Sequence, residues 1–200
     1  MAKKALKPSI RFKGFTDPWE QYKFDDALNI VTDFVAAGSF ADMAENVVYR
    51  STPSYAQLVR TTDLKNQFKN SGFVYVDKKA YDFLWRVQLD EESIVMPNVG
   101  NCGEIYYVNG SRLPFRKNVL GPNAILVRSI INNNMFLSYN FLSETFQKEL
   151  MLIVSPTGQS KFNKTELKTL PVMLPKNREQ EKIGELFYQL DNLITLHQRK

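Results

Sequence analysis

The sequence is poor in the residues that most often build a chemical site. It has one cysteine, Cys102, and one histidine, His197. A single thiol excludes an internal disulfide, and one Cys with one His cannot supply the usual tetrahedral zinc site. No apolar run approaches the ~20 residues that a membrane-spanning helix needs. The opening, Met1 to Lys7, is basic but has no apolar stretch behind it, so it does not read as a secretory signal. A thiol-poor chain without such segments fits a reducing cytoplasm. Glycine-rich turns followed by Lys-Ser or Lys-Thr, the cradle for nucleotide phosphates, are missing as well.

The remaining catalytic patterns are weak. Ser51-Thr52-Pro53-Ser54-Tyr55 and Val154-Ser155-Pro156 only faintly approach the Asn/Asp-Pro-Pro-aromatic tetrapeptide of adenine methyltransferases. Glu166-Leu167-Lys168 fits a nuclease tripeptide, but no strand with a paired acid precedes it. Cys102 has no nearby His, and His197 has no obvious Ser, Cys or Asp partner. The expectation is a chain with no catalytic residues, no metal and no cofactor.

What is present is aromatic bulk and unevenly placed charge. Fourteen Phe and nine Tyr can fill a substantial core, and 44% hydrophobic with 24% charged residues is a globular profile. The net charge of +5 is carried by the first thirteen residues, where Lys3, Lys4, Lys7, Arg11 and Lys13 meet no acid. Residues 14–46 are acidic, the middle is basic, and the last stretch is mixed. No acid falls between Glu104 and Glu144, whereas Arg112, Arg116, Lys117 and Arg128 do. A basic patch of this kind can hold phosphates.

The periodicity predicts mixed α/β structure. Residues 1–9 read as a flexible leader, with aromatic anchors Phe12, Phe15 and Trp19 behind it. Helices are expected from caps at Asp25, Ser39 and Asp77, the last with Ala80, Leu84 and Val87 on one face. Phe73–Val76 and Ile94–Met96 read as strands. Asn109-Gly110 between two short β-prone runs suggests a hairpin with a type I′ turn. The apolar run Ala124–Ile131 reads as a strand buried on both faces. Met135, Tyr139, Leu142, Phe146 and Leu150 form the stripe of a following helix, and residues 155–170 read as a loop. After the Pro-bounded segment Leu170–Pro175, Asn177 is expected to cap a last helix, with Gln180 at the capping-box position. In that helix Ile183, Leu186, Leu190 and Leu193 recur at heptad spacing, and Phe187 and Ile194 widen the seam. The expected division is a domain over 1–175 and a pairing helix over 176–200 that runs to Lys200 without a stop signal.

Side chains suited to DNA gather in the expected loops. Arg and Lys match guanine, Asn and Gln match adenine, and Tyr, Ser or Thr can meet phosphate. The candidates are Arg50, Ser51, Tyr55, Gln57 and Arg60; Asn98 and Asn101; Arg112, Arg116 and Lys117; and Lys161, Asn163 and Lys164. Each alone could be an ordinary surface residue. As a set they favour double-stranded DNA.

The order of these features resembles the specificity subunits of type I restriction-modification systems. Arg11-Phe12-Lys13-Gly14-Phe15 leading to Trp19 is similar to the family's opening motif. Leu170–Pro175, Glu179–Gly184 and Leu190–Lys200 are similar to its junction and conserved helix, while Arg60–Leu64 and Val99–Gly103 are weaker landmarks. The resemblance implies an α+β target-recognition domain with curved sheets and peripheral helices, then a coiled-coil-type helix. It implies that methyltransferase subunits, and through them a restriction subunit, act where this subunit binds. Family members carry two recognition domains; this chain has one and a partial helix, so it is expected to pair with a second copy or a second half. Rival readings are the recognition tail of a fused restriction-methylation enzyme, or a protein-interaction module using the last helix. The base-reading residues cannot be transferred by motif.

Overall fold

The computed structural model describes residues 5–155 and 158–198. The first four residues of the expected leader and the last two of the terminal helix lie outside the described residues. In chain order the strands are β1 (Ala5–Leu6), β2 (Trp19–Lys23), β3 (Ile30–Asp33), β4 (Ala56–Val59), β5 (Val74–Val76), β6 (Ser93–Pro97), β7 (Tyr106–Val108), β8 (Asn118–Leu120), β9 (Ala124–Arg128) and β10 (Pro171–Leu174). The α-helices are α1 (Phe24–Ala27), α2 (Phe40–Asn46), α3 (Thr61–Lys65), α4 (Lys78–Phe83), α5 (Asn134–Leu142), α6 (Glu144–Ile153), α7 (Lys164–Leu167) and α8 (Asn177–Gln198).

The centre is an antiparallel sheet in the order β3-β9-β6-β7. Its inner strands β6 and β9 are almost uninterruptedly apolar because both faces are covered. Successive side chains alternate between faces. Val95 and Leu126 join one core with Leu58, Leu84 and Val119. Ile94, Met96, Ile125 and Val127 join a second core with Phe24, Phe136, Phe141 and Phe146. Phe141 links two ring contacts there, at 5.1 Å to Phe24 and 4.6 Å to Phe146. The sheet β5-β4-β8 borders the first core, with β4 antiparallel to β5 and parallel to β8.

A third sheet, β1-β2-β10, joins distant parts of the chain. Leu6 lies opposite Trp19, and Val172 opposite Tyr22. The described part of the expected leader is therefore partly strand. Beside this sheet, Arg11 grips Glu179 with two hydrogen bonds, Nε to Oε1 at 2.8 Å and Nη2 to Oε2 at 2.6 Å. Glu179 is buried, so the pair ties the opening motif to the first turn of α8.

The structure corrects several local expectations. Asn109-Gly110 makes no hairpin: β7 ends at Val108 and pairs with β6, and Gly110 opens a 3-10 turn. The glycine serves close packing instead, because a Cβ there would overlap the Leu89 carbonyl oxygen. The apolar run from Ala124 stops as a strand at Arg128, leaving Ile130 and Ile131 exposed. Side chains take over the backbone there: Ile130 N–H donates to Asn29 Oδ1 (2.7 Å) and Asn132 N–H to Ser129 Oγ (2.9 Å). The helix expected across Met135–Leu150 is broken at Ser143, an extended residue that ends α5 and caps α6 by accepting from Phe146 N–H. Phe146 and Leu150 are buried as expected, but Leu142 is exposed and Phe136, Leu137 and Phe141 carry the packing of α5. The loop over 155–170 contains α7. Helix α1 starts at Phe24, which puts Asp25 in its first turn, not at its cap. Ser39 and Asp77 do cap α2 and α4. Leu84 and Val87 are buried but lie beyond the end of α4.

Helix α8 begins at Asn177, which makes Asn177 its first helical residue and not its cap, and its side chain instead donates to the Ile131 carbonyl at 2.9 Å. The Gln180 side chain is likewise used elsewhere. Its buried amide donates to Asn132 Oδ1 (2.8 Å) and the Pro175 carbonyl (2.9 Å), and accepts from Asn133 N–H (3.0 Å). Gly184 allows α8 to press against α5, since a Cβ would meet Phe136 N at 3.0 Å. Ile183 packs against the second core. Phe187 lies 5.3 Å from the Tyr139 ring, and Tyr139 donates to Asp191 Oδ2 (2.7 Å). Leu186, Phe187, Leu190, Leu193 and Ile194 nonetheless keep between 41% and 57% of their surface exposed, so the seam is largely uncovered in this chain.

Candidate nucleic-acid interface

Two loop clusters gather most of the expected DNA-contacting residues. In the first, the 49–55 loop is held because Arg50 exchanges backbone hydrogen bonds with Tyr75, both at 2.9 Å. Arg50 Nη2 also reaches Asp77 Oδ2 at 3.2 Å. The Ala80 backbone N–H, and then Arg50, hold the Asp77 carboxyl below the usual aspartate range. Tyr55 meets the Tyr81 ring edge-on at 5.3 Å, with Lys78 Nζ 5.8 Å from the Tyr55 ring centre. The 113–117 segment joins the same surface: Phe115 lies 5.3 Å from Tyr75, and Lys117 bonds Asp90 at 2.9 Å while sitting 5.4 Å from the Tyr81 ring. Ser51 and Arg116 are exposed beside these contacts in sequence. Aromatic rings interleaved with cations are well suited to a nucleic-acid surface.

The second cluster joins residues 98–101 to 158–164. Gly100 N–H donates to the Ser160 carbonyl (2.7 Å), Phe162 N–H to the Asn98 carbonyl (3.1 Å), and Val99 bridges Lys161. The Asn98 amide is used internally, donating to the Phe162 carbonyl at 3.1 Å. Asn101 and Lys161 are exposed. Asn163 Oδ1 caps α7 by accepting from Glu166 N–H (2.9 Å), and Lys164 pairs with Asp33 at 2.8 Å.

Three candidates fall outside these clusters. Gln57 lies in β4 with 2% of its surface exposed, so no groove of DNA can reach its side chain in this structure. Its apolar neighbours Ala56, Leu58 and Val59 gave the signal that this is a core strand. Arg60 donates through Nε (3.0 Å) and Nη2 (2.7 Å) to the fully buried Asp63 and so closes a turn. Arg112 turns to α8, where it hydrogen-bonds the Tyr188 hydroxyl with its guanidinium 5.1 Å from that ring.

A polar groove of about 620 Å³ adjoins both clusters. Asp90, partner of Lys117, lines one part, and Lys164 of the second cluster lines another. The groove also contains Trp85, Arg86 and Arg128, and Trp85 is 61% exposed. Trp85 and Arg86 were not among the residues expected from the sequence to contact DNA. Their signal was available: both fall off the apolar face marked by Ala80, Leu84 and Val87.

Among the described residues, no group of three or more His, Cys, Asp or Glu side chains is placed to hold a metal ion. Burial raises the Cys102 thiol above its usual range, which makes it a poor nucleophile. No helix among the described residues is long and apolar enough to cross a membrane.

A mixed α/β core that presents two polar, cation-bearing loop clusters beside one groove defines a recognition module. The family model for the type I restriction modification DNA specificity domain matches residues 17–200, and the chain belongs to that family. Among solved structures, a chain from a study of complex assembly and conformational transition of the type I R-M system superposes with a TM-score of 0.63 at 11% identity. The S subunit of a type I restriction-modification system from M. genitalium gives 0.58 at 14% identity, and the HsdS subunit from Thermoanaerobacter tengcongensis 0.57 at 12%. These alignments cover 94%, 94% and 98% of this chain and 42% of each of the longer chains. At such identities the likeness is one of fold. No curated protein sequence matches.

Proposed function

We propose that this chain reads one half-site of a split DNA sequence and directs methyltransferase subunits, and through them a restriction subunit, to that site. The family match over residues 17–200, together with loops rich in Arg, Lys, Asn and Tyr, supports the reading. The DNA-contacting set is Arg50, Ser51, Tyr55, Asn101, Arg116 and Lys161 at the exposed surface, with Lys117, Asn98, Asn163 and Lys164 shaping the loops. Residues 1–175 form the recognition unit, and residues 176–200 form a helix that pairs with a second copy or a second half through its Leu186, Leu190, Leu193 and Ile194 seam. The chain has no catalysis of its own; methyl transfer and cleavage belong to the companion subunits in the cytoplasm.

The observation that carries this reading is the convergence of separated loop segments on two clusters beside one groove. Selection of bound sequences from a random duplex pool tests it. Enrichment of a short motif is expected, matching one half of the methylated sequence found in cells that carry the intact system. A chain that retains no sequence above background would refute the proposal.

A further inference from the structure

We propose that the groove adjoining the two loop clusters takes a strand of DNA backbone, with Arg86 as its phosphate contact and Trp85 as its wall. The inference rests on the DNA-reading function above and adds a site to it.

The argument begins with charge. Four cations and three carboxylates line the groove. The carboxylates are engaged: Asp25 by Lys168 at 3.1 Å, Asp90 by Lys117 at 2.9 Å, and Glu91 by Arg128 at 2.9 Å. Lys164 is held by Asp33. Arg86 alone among the four has no carboxylate partner among the described residues. Its guanidinium instead lies 4.4 Å from the Trp85 ring centre. Stacking orients the planar fork and leaves its N–H edges free for an anion.

Position supports the same occupant. Asp90 belongs through Lys117 to the first cluster, and Lys164 follows Asn163 in the second. A strand that engages both clusters crosses the groove that adjoins them. The groove is open to solvent, which suits a backbone better than an enclosed small molecule. One of its lining residues, Thr32, is 8% exposed, and its hydroxyl has no hydrogen-bond partner among the described residues. Drying such a hydroxyl beneath a protein partner is costly. Protein–DNA interfaces are wet and tolerate it.

The chain provides its own reporter, because Trp85 and the half-buried Trp19 are its two tryptophans. In a Trp19→Phe background, adding a random-sequence duplex should change Trp85 emission over the same concentrations that raise the anisotropy of a labelled duplex. Arg86→Gln should weaken binding several-fold and flatten the slope of log affinity against log salt by about 0.9, the value of one phosphate contact. If the wild type binds the duplex while Trp85 emission stays flat and Arg86→Gln changes neither affinity nor slope, the groove is not a DNA site, and the proposed function stands without it. If Arg86→Gln instead impairs only docking of a companion subunit, the groove belongs to a protein partner and the inference is wrong. A wild type that binds no duplex even at low salt would remove the DNA-reading function itself.

Discussion

Replacing Asp63 by alanine should cost about 2–3 kcal/mol of stability, and the structure supplies the reasons. The Asp63 carboxylate is fully buried and accepts from Arg60 N–H (2.9 Å), Arg60 Nε (3.0 Å), Arg60 Nη2 (2.7 Å) and Asn70 Nδ2 (2.7 Å). Removing one member of a buried ion pair typically costs about 3–5 kcal/mol, because the other is stranded. Arg60 keeps 35% of its side-chain surface exposed and can turn to water, so the cost falls at or below the lower end of that range. The same carboxylate also holds Asn70, through Nδ2 at 2.7 Å, just beyond a turn in which Gln67 and Phe68 have φ of 51° and 56°. For a chain of this size the loss corresponds to a fall in Tm of about 5–10 °C. Calorimetry and urea titration measure it, and hydrogen exchange should speed at residues 66–70.

The pH dependence gives an independent check. Burial acts to raise the Asp63 pKa, but the hydrogen bonds from Arg60 and Asn70 outweigh it and hold the carboxyl below the usual range. A folded value below the unfolded one adds stability at neutral pH that disappears as pH falls through the folded value. The gap between wild type and Asp63→Ala should therefore shrink below about pH 4. A stability change within about 0.5 kcal/mol, the range of an ordinary surface substitution, would refute the reasoning.

Three further outcomes are expected. Arg50→Gln, Arg116→Gln and Lys161→Gln together should weaken duplex binding and reduce the salt slope, by up to about 0.9 for each phosphate no longer neutralised, as read by anisotropy titration; an unchanged slope would remove these side chains from the interface. Charged replacements at Leu186, Leu190 and Leu193 should abolish self-association in light scattering while circular dichroism stays native; a wild type that is monomeric at high concentration would exclude pairing between copies. Gly110→Ala should lose about 1–3 kcal/mol in urea titration, because the new methyl is driven into the Leu89 carbonyl; an unchanged midpoint would mean that the backbone there yields freely.

The elements most legible in the sequence were those whose residues declare both local conformation and burial. Ser39 and Asp77 cap α2 and α4 as read, and the apolar period of residues 183–194 does lie on a helix. The failures share a cause: a local signal was put to a use set by distant residues. Gly110 looked like a turn glycine and is a contact point for the 89–90 backbone. Ile130 and Ile131 continue an apolar run but follow Ser129, whose hydroxyl donates to the Ala27 carbonyl at 3.0 Å. Gln180 looked like a cap and is the hub of a buried network. The loops at 98–101 and 158–164 could be named separately, but their union depends on a bridge between residues about sixty positions apart. Arg60 and Arg112 were indistinguishable from surface arginines until their partners, a buried aspartate and a tyrosine on α8, came into place.

The sheet β1-β2-β10 brings the two ends of the middle of the chain side by side. The polypeptide leaves β2 at Lys23 and returns to β10 at Pro171, and these two residues face each other in register. Phe24 N–H donates to the Leu170 carbonyl at 2.8 Å, so the way out and the way back are bolted together. What lies between them meets the frame there and again along α8, where Gln180, Tyr188 and Asp191 bond to Asn132, Arg112 and Tyr139. A segment with different reading loops would have to begin and end on the same two strands and rebuild these contacts to α8 to leave the helix where it stands.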